Sequence, residues 1–405
     1  MESYKIAYLN SNNGHSVLAF GKGEAIRIDS NTVNHTSCLV ELEQFIQQNK
    51  NSYLFGYLSY DLKNEIHHLD SNNNNSVEFP LIYFWKPQYV VEMKNENFSF
   101  VQGEKCQESF DFVQNFLEEE IDQNFHPYNF NFKPTITKKK YIEKVNSLKN
   151  HIQLGDCYEV NFCQEFIDDN IDLDFTLDAY FKLNSITKAP FSTFFQHDEL
   201  TVIGGSPERF IKKHNLTLSS EPIKGTKKRG QTEQEDNQLI NELKNDPKER
   251  SENVMIVDLV RNDLSKIASK NSVKVDELCE IYSYETVHQM ISKISCEIEP
   301  SVTFTDIIRA TFPMGSMTGA PKKRAMELIE EHESFARGLY SGTIGYIKPN
   351  GDFDFNVVIR TLLYNKKNKK LSCSVGSAIT ILSDPEKEYE ECFVKVKRIL
   401  DGMNE

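Results

Sequence analysis

Pro222-Ile223-Lys224-Gly225-Thr226 sets one lysine in a constrained turn at the end of an apolar, β-branched run. Proline fixes φ and glycine permits close backbone approach, so the two bracket a strand end or tight turn and hold Lys224 in place. An amine attacks carbon only when neutral, which requires a pKa lowered by desolvation or by neighbouring cations. Lys227, Lys228 and Arg229 follow at once, and this basic cluster is expected to favour the neutral amine. On these residues alone, a surface lysine in a basic loop is the commoner reading.

Outward from the turn, apolar β-branched runs at 191–196, 200–206 and 216–223 read as strands. From Cys157 to Phe166, Tyr158, Val160, Phe162 and Phe166 alternate with Glu159, Asn161, Cys163 and Glu165, the period of a strand with one polar face. A helix from about Ile136 is ended by Gly155, and a helical block runs from Thr232 to Ala268. Residues 1–130 read as a β-rich N-terminal region with helices. Asn72 to Asn75 form a loop within it, and the stretch with Pro127 and Pro134 is a connector marking a boundary before 136–405. No internal repeat is found. Sheet with helices grouped outside is an α+β arrangement.

The chain has 405 residues, 39% of them hydrophobic, enough for a large core. Its net charge of −14, without a basic stripe, disfavours nucleic acid as a partner. No apolar run approaches the roughly 18–20 residues of a membrane span, and MESYKIAYLN lacks the layout of a secretory signal. A soluble, cytoplasmic protein is expected. The eight cysteines include no C-x-x-C pair and read as reduced, mostly buried thiols without a zinc site.

Several carboxylates stand out. Glu249 to Leu259 follows Pro247, which suits a first helical turn, and its apolar residues point all round a helical wheel. Such a helix is buried, which would put Glu252 and Asp258 in or beside a core, in need of Arg261, a metal or another cation; an internal salt bridge is the plainer alternative. In the C-terminal helix, Ser383 to Glu386 has capping-box form. Tyr389, Cys392, Phe393, Val396, Ile399 and Leu400 make its apolar stripe, and Glu388, Glu391 and Lys395 lie along its edge. That edge is either an exposed salt-bridging face or, if it meets the helix carrying Glu252, half of an oxygen-rich site suited to Mg²⁺. Phe312 to Lys322 reads as a possible anion-binding loop before a helix beginning near Pro321. Glu208 is a candidate acid, and His288 and Arg360, taken singly, would be assigned to structure.

Taken together, these motifs resemble the chorismate-utilising family, which includes the large subunits of anthranilate and aminodeoxychorismate synthases and, more distantly, isochorismate and salicylate synthases. The likeness is collinear from about 136 to 400, and Gly56-Tyr57-Leu58-Ser59-Tyr60-Asp61 extends it more weakly into the N-terminal region. It implies two face-to-face sheets with helices outside, in α/β/β/α layers, and a chorismate-binding catalytic region at 136–405 intertwined with the N-terminal part. The P-I-K-G-T form is typical of aminodeoxychorismate synthase component I, whereas anthranilate synthases usually carry Ala at the position of Lys224.

By residue, the resemblance assigns Lys224 as nucleophile, Glu208 as general acid/base and His288 to the reacting ring. It gives Mg²⁺ to Glu252 and Glu391, with Glu388 and Glu249 nearby. Substrate carboxylates go to Arg360, Lys395 and the Gly376 amide, a ring-side contact to Tyr346, and further substrate contacts to Gly225 and Thr226. The implied reaction is attack of Lys224 on C2 of chorismate and displacement by ammonia at C4, feeding 4-aminobenzoate and folate synthesis. No C-G-x-C or G-x-C-x-G pattern occurs, so ammonia is expected from a separate glutamine amidotransferase subunit. The alternatives are an anthranilate synthase component I and a catalytically silent, chorismate-binding regulatory paralogue. Three features depart from the family: Glu159 stands where relatives more often have Gln, or Lys in isochorismate synthases. Ser377-Ala378 replaces a Gly-rich continuation, and the L-L-E-S tryptophan-binding signature is not found.

Overall fold

Alternation along the central strands sends apolar side chains to both faces. His15–Gly21 directs Val17 and Ala19 into one core and Leu18 and Phe20 into another, and Thr361–Asn365 divides Leu363 from Leu362 and Tyr364 in the same way. A strand apolar on both faces must be covered on both. The computed structural model, which describes residues 4–30, 37–95, 97–121 and 127–404, meets that demand with two antiparallel sheets packed face to face.

The first sheet runs, by strand, Gly319–Ala320, Glu159–Asp168, Lys370–Ile379, Thr361–Asn365, Leu200–Ser206, Phe191–His197, Lys5–Asn10, His15–Gly21, Tyr89–Lys94, Asn97–Gln102. The second runs Ile223–Lys228, Val287–Glu297, Thr217–Glu221, Arg209–His214, Phe353–Val357, Thr343–Ile347, Leu54–Leu58, Ile82–Trp85, Ala25–Ile28. Strands from residues 5–102 and from 159–379 thus share both sheets. Between them, His197 of the first sheet stacks on Tyr83 of the second at 3.6 Å and meets the Tyr57 hydroxyl at 2.8 Å.

Helices Gln107–Ile121, Lys138–Leu154, Thr176–Thr187 and Pro385–Asn404 pack their buried stripes on the outer face of the first sheet. Cys38–Gln48, Pro247–Ser265 and Phe304–Thr311 cover the second. The layers are therefore α/β/β/α. The eight cysteines are free thiols, six of them buried, and among the described residues no helix is long and apolar enough to cross a membrane.

Local chemistry sets the helix ends. Thr137 caps Lys138–Leu154, and Gly155 at φ 88° closes it. The block from 232 to 268 is two helices, because Asp246 accepts from the Lys248 and Glu249 amides and restarts the chain with Pro247 in the first turn. Two expectations change here. Pro247–Ser265 buries Glu252, Asn253, Ile256, Val257, Val260 and Leu264 but leaves Val254 and Asp258 exposed, so Asp258 pairs with Arg261 in solvent at 2.7 Å and is no core carboxylate. The C-terminal helix is capped by Asp384, which accepts from the Glu386 and Lys387 amides, while Ser383 bonds back to Thr380 and Ala378.

Candidate active site

Lys224 lies at the start of Ile223–Lys228, where the pairing with Val287–Glu297 shifts register across Gly225. Gly225 sits at φ 92°, and a Cβ there would press on Leu243 and Glu249. The lysine side chain is only 12% exposed, and its Nζ lies 3.0 Å from Glu159 Oε1 on a side chain 1% exposed. Burial alone would lower the ammonium pKa, but the charges of Glu159, Glu252 and Glu208 and the Glu159 hydrogen bond outweigh it and raise it.

The environment of Lys224 is therefore acidic, and the basic cluster expected to free its amine does not face it. Lys227 pairs with Glu242 at 2.7 Å, Arg229 with Asp236 at 2.7 Å, and Lys228 is exposed. Thr226, also exposed, pairs in register with Gln289.

Glu208, just before the strand Arg209–His214, is buried and accepts from the Ser316 hydroxyl at 2.5 Å. Burial pushes its carboxyl up to about 7, against the pull of Ser316, Lys224 and Arg360. Arg360 adopts a left-handed φ of 51° and its guanidinium forms no salt bridge among the described residues. Burial and then the charge of Arg398 lower its pKa while Glu208 opposes them. Arg360 thus feels a second guanidinium on one hand and the Glu208 carboxyl on the other, and a guanidinium without an ion-pair partner suits a carboxylate ligand.

The loop from 312 to 322 is built differently from a free anion cradle. Gly319–Ala320 is an edge strand pairing with Val160 and Glu159, and Lys322 is spent on Asp263 and on the Thr311 and Pro313 carbonyls. Its contribution is Ser316, delivered to Glu208. Beneath it, the buried pair Arg337–Glu333 pins both sides of the site: Arg337 donates to the carbonyls of Met317 and Asn161 at 2.7 Å, and Glu333 accepts from the Cys163 amide at 2.8 Å.

Glu249 and Glu252 on one helix and Glu388 and Glu391 on the other act on a single ammonium, Lys248, whose pKa they raise against the opposing effect of burial. Glu252 Oε1 is buried, 3.8 Å from Lys248 and without a hydrogen bond. Burial, with the charges of Glu159 and Glu249, raises its carboxyl to about 7 although Lys224 and Lys248 oppose this. All four carboxylates are oxygen donors, the type a hard cation such as Mg²⁺ takes, and Glu252 offers an unmet buried oxygen, but no three of them gather their ligand atoms within 4.8 Å of one another among the described residues. Glu391 is paired with Lys395 at 2.7 Å, and Lys395 also donates to the Gly376 carbonyl at 2.8 Å, tying the C-terminal helix to Lys370–Ile379. Gly376 is required by close approach: a Cβ would stand 2.6 Å from Cys163 Sγ.

Two expected residues have other partners. His288 has both ring nitrogens engaged, with Ser283 Oγ and Asp236 Oδ1 at 2.8 Å each, and no described hydrogen bond or salt bridge joins it to Lys224 or Glu208. Tyr346 packs on Phe55 and lines a different cavity of about 430 Å³ with Arg209 and Asp354; none of Lys224, Glu208, Glu252 and Arg360 lines it. Sequence reasoning missed Arg398, Lys248 and the Arg337–Glu333 pair. Only the last had a signal, an i, i+4 Glu and Arg flanking Phe335 among apolar neighbours.

The chorismate binding enzyme family matches residues 4–401. The chain is 40% identical over 268 residues to aminodeoxychorismate synthase component 1 of Escherichia coli K12, covering 66% of this chain but only 58% of that protein. It is 34% identical over 358 residues to anthranilate synthase component 1 of Lactococcus lactis, covering 85% and 78%. The solved structure of anthranilate synthase component I from Streptococcus pneumoniae superposes with a TM-score of 0.80 at 26% identity, covering 95% of this chain and 92% of that one. The family model spans residues 4–401, nearly the whole chain, and the fold superposes on that solved structure, so the chain belongs to the chorismate binding enzyme family.

Proposed function

We propose that this protein aminates chorismate at C4 through a covalent adduct on Lys224, releasing 4-amino-4-deoxychorismate. The observation that carries the reading is a buried lysine standing between acids, one of which, Glu208, holds its carboxyl proton to about pH 7. The similarity to aminodeoxychorismate synthase component 1 supports it.

Arg360 and Arg398 would receive a carboxylate of the dianionic substrate. Glu252, Glu249, Glu388 and Glu391 would hold Mg²⁺, which when bound supplies positive charge to a substrate carboxylate and withdraws electron density from the ring. Lys224 attacks C2 as the neutral amine. Both ring double bonds shift, C1=C2 to C1=C6 and C5=C6 to C4=C5, as the C4–O bond breaks, and Glu208 gives its proton to the departing hydroxyl, with Ser316 fixing the orientation of that carboxyl. Ammonia then attacks C4, both double bonds return to C5=C6 and C1=C2, the C2–N bond to Lys224 breaks, and the Glu208 carboxylate takes a proton from the new ammonium. Two allylic displacements replace one substitution of a poor leaving group. Ammonia would come from a separate glutamine amidotransferase subunit.

Product identification tests the reading. The purified chain with chorismate, Mg²⁺ and ammonium should yield 4-amino-4-deoxychorismate. Anthranilate with stoichiometric pyruvate would assign it instead to the reaction named for the Lactococcus relative, and no product from either channel would leave chorismate binding alone.

A further inference from the structure

Lys224 has a single hydrogen-bond acceptor among the described residues, Glu159 Oε1 at 3.0 Å. Glu159 is the first residue of its strand, clamped by the pairing of Ala320 on one side and of Ile379 with the adjacent Val160 on the other. Its second oxygen, Oε2, is buried without any hydrogen-bond partner. A buried carboxylate with an unmet oxygen is costly to keep, and it touches the one amine whose proton must leave before chemistry. None of the other charged groups facing Lys224 accepts a hydrogen bond from it among the described residues. Glu208 accepts from Ser316 and lies beside Arg360, and Glu249 and Glu252 belong to the carboxylates around Lys248.

We propose that Glu159 is a catalytic base in this chain: it takes the proton from the Lys224 ammonium before attack and returns it when the lysine departs. The inference rests on the covalent Lys224 reading above. The Nζ–H bond breaks as an Oε–H bond forms on Glu159, and the freed electron pair forms the C2–N bond. The electrons of both conjugated ring double bonds shift toward C4 as C4–O breaks, and Glu208 protonates the leaving hydroxyl. In the second half ammonia displaces Lys224, whose nitrogen recovers its electron pair and takes back the Glu159 proton. No external acid or base is needed for the lysine.

The consequence is a distinctive pH behaviour. In the parent protein the lysine proton moves within a pair, so the adduct-forming rate does not depend on releasing it to water. In Glu159→Gln, which keeps the size and one acceptor oxygen, the proton must go to solvent, and the rate follows the fraction of free amine. The ratio of parent to variant rates cancels the titration of Glu208, which both share.

The test is single-turnover adduct formation with chorismate and Mg²⁺ but no ammonium, followed by intact-protein mass spectrometry from pH 6 to 9. Glu159→Gln should be at least about tenfold slower at pH 7, within the span of general-base effects, with the ratio shrinking about tenfold per pH unit toward alkaline pH. Superimposed profiles, or a deficit constant across pH, would overturn the base assignment, since a merely structural role moves all pH values alike. Should the Gln variant fail to fold, Glu159→Asp serves. It should be slower but with a pH-independent ratio to the parent, and a ratio that falls with pH would overturn the assignment. If the parent itself forms no adduct on Lys224, the covalent reading fails and this inference with it; an adduct in the parent with an unchanged Glu159→Gln defeats this inference alone.

Discussion

Glu208→Gln should make the protein more stable and inactive at once, with a pH dependence that identifies the cause. Burial raises the Glu208 carboxyl from 4.5 to about 7 in the folded state. The folded chain therefore holds a proton that the unfolded chain releases, and the stability associated with it is present below pH 4.5 and lost as the pH rises through about 7. By linkage, the penalty of ionising Glu208 is under about 1 kcal/mol at pH 5 and about 3 kcal/mol at pH 8. Gln is neutral at both and can still accept from Ser316. The variant should gain about 3 kcal/mol at pH 8, or about 4 °C in Tm for a chain of this length, and under about 1 kcal/mol, or about 1 °C, at pH 5. Thermal melts of parent and variant at the two pH values, in metal-free buffer, measure this, and turnover should be lost through want of a proton donor. Equal shifts at both pH values, or a variant less stable at pH 8, would refute the claim that Glu208 is a buried acid held near neutrality.

Arg337→Met strands Glu333 in the core and should cost about 3–5 kcal/mol, read as a fall in the urea midpoint; adding Glu333→Leu should recover most of it, and a single variant within 1 kcal/mol of the parent, by the roughly 0.5 kcal/mol error of such comparisons, would deny the pair its pinning role. Glu252→Ala and Glu391→Ala should each abolish Mg²⁺-dependent turnover and the rise in Tm on adding Mg²⁺, and turnover that persists in EDTA would exclude the metal role. Glutamine in place of ammonium should be inert with the purified chain, and glutamine-dependent turnover would reveal a second active site.

Local chemistry was the legible part of this molecule. The alternation from 157 to 166, the strands around 191–206, the Gly155 terminus and the Pro247 start are each set by near neighbours, and the structure places them where those neighbours direct. The layered arrangement came from family likeness, since the pairing of Lys5–Asn10 with Phe191–His197 spans a separation that no periodicity encodes. The site divides on the same line. The turn at Lys224 is a property of Pro222 and Gly225, but its acidic setting depends on Glu159, 65 residues away, and Glu208 takes its hydroxyl partner from Ser316, 108 away. Neighbours in sequence misled for that reason: Lys227 and Arg229 adjoin Lys224 in the chain yet turn to Glu242 and Asp236. Asp258 misled because a helical wheel counts apolar residues without saying which side another layer covers.

The most direct measurement of the central claim is the mass of the protein after incubation with chorismate and Mg²⁺ in the absence of ammonium. Lys224 is expected to carry a single addition of dehydrated chorismate, mapped by fragmentation, which disappears on adding ammonium and never forms in Lys224→Arg, whose guanidinium stays protonated. An adduct mapped to Lys227 or Lys228, or turnover at the parent rate by Lys224→Arg, would contradict it.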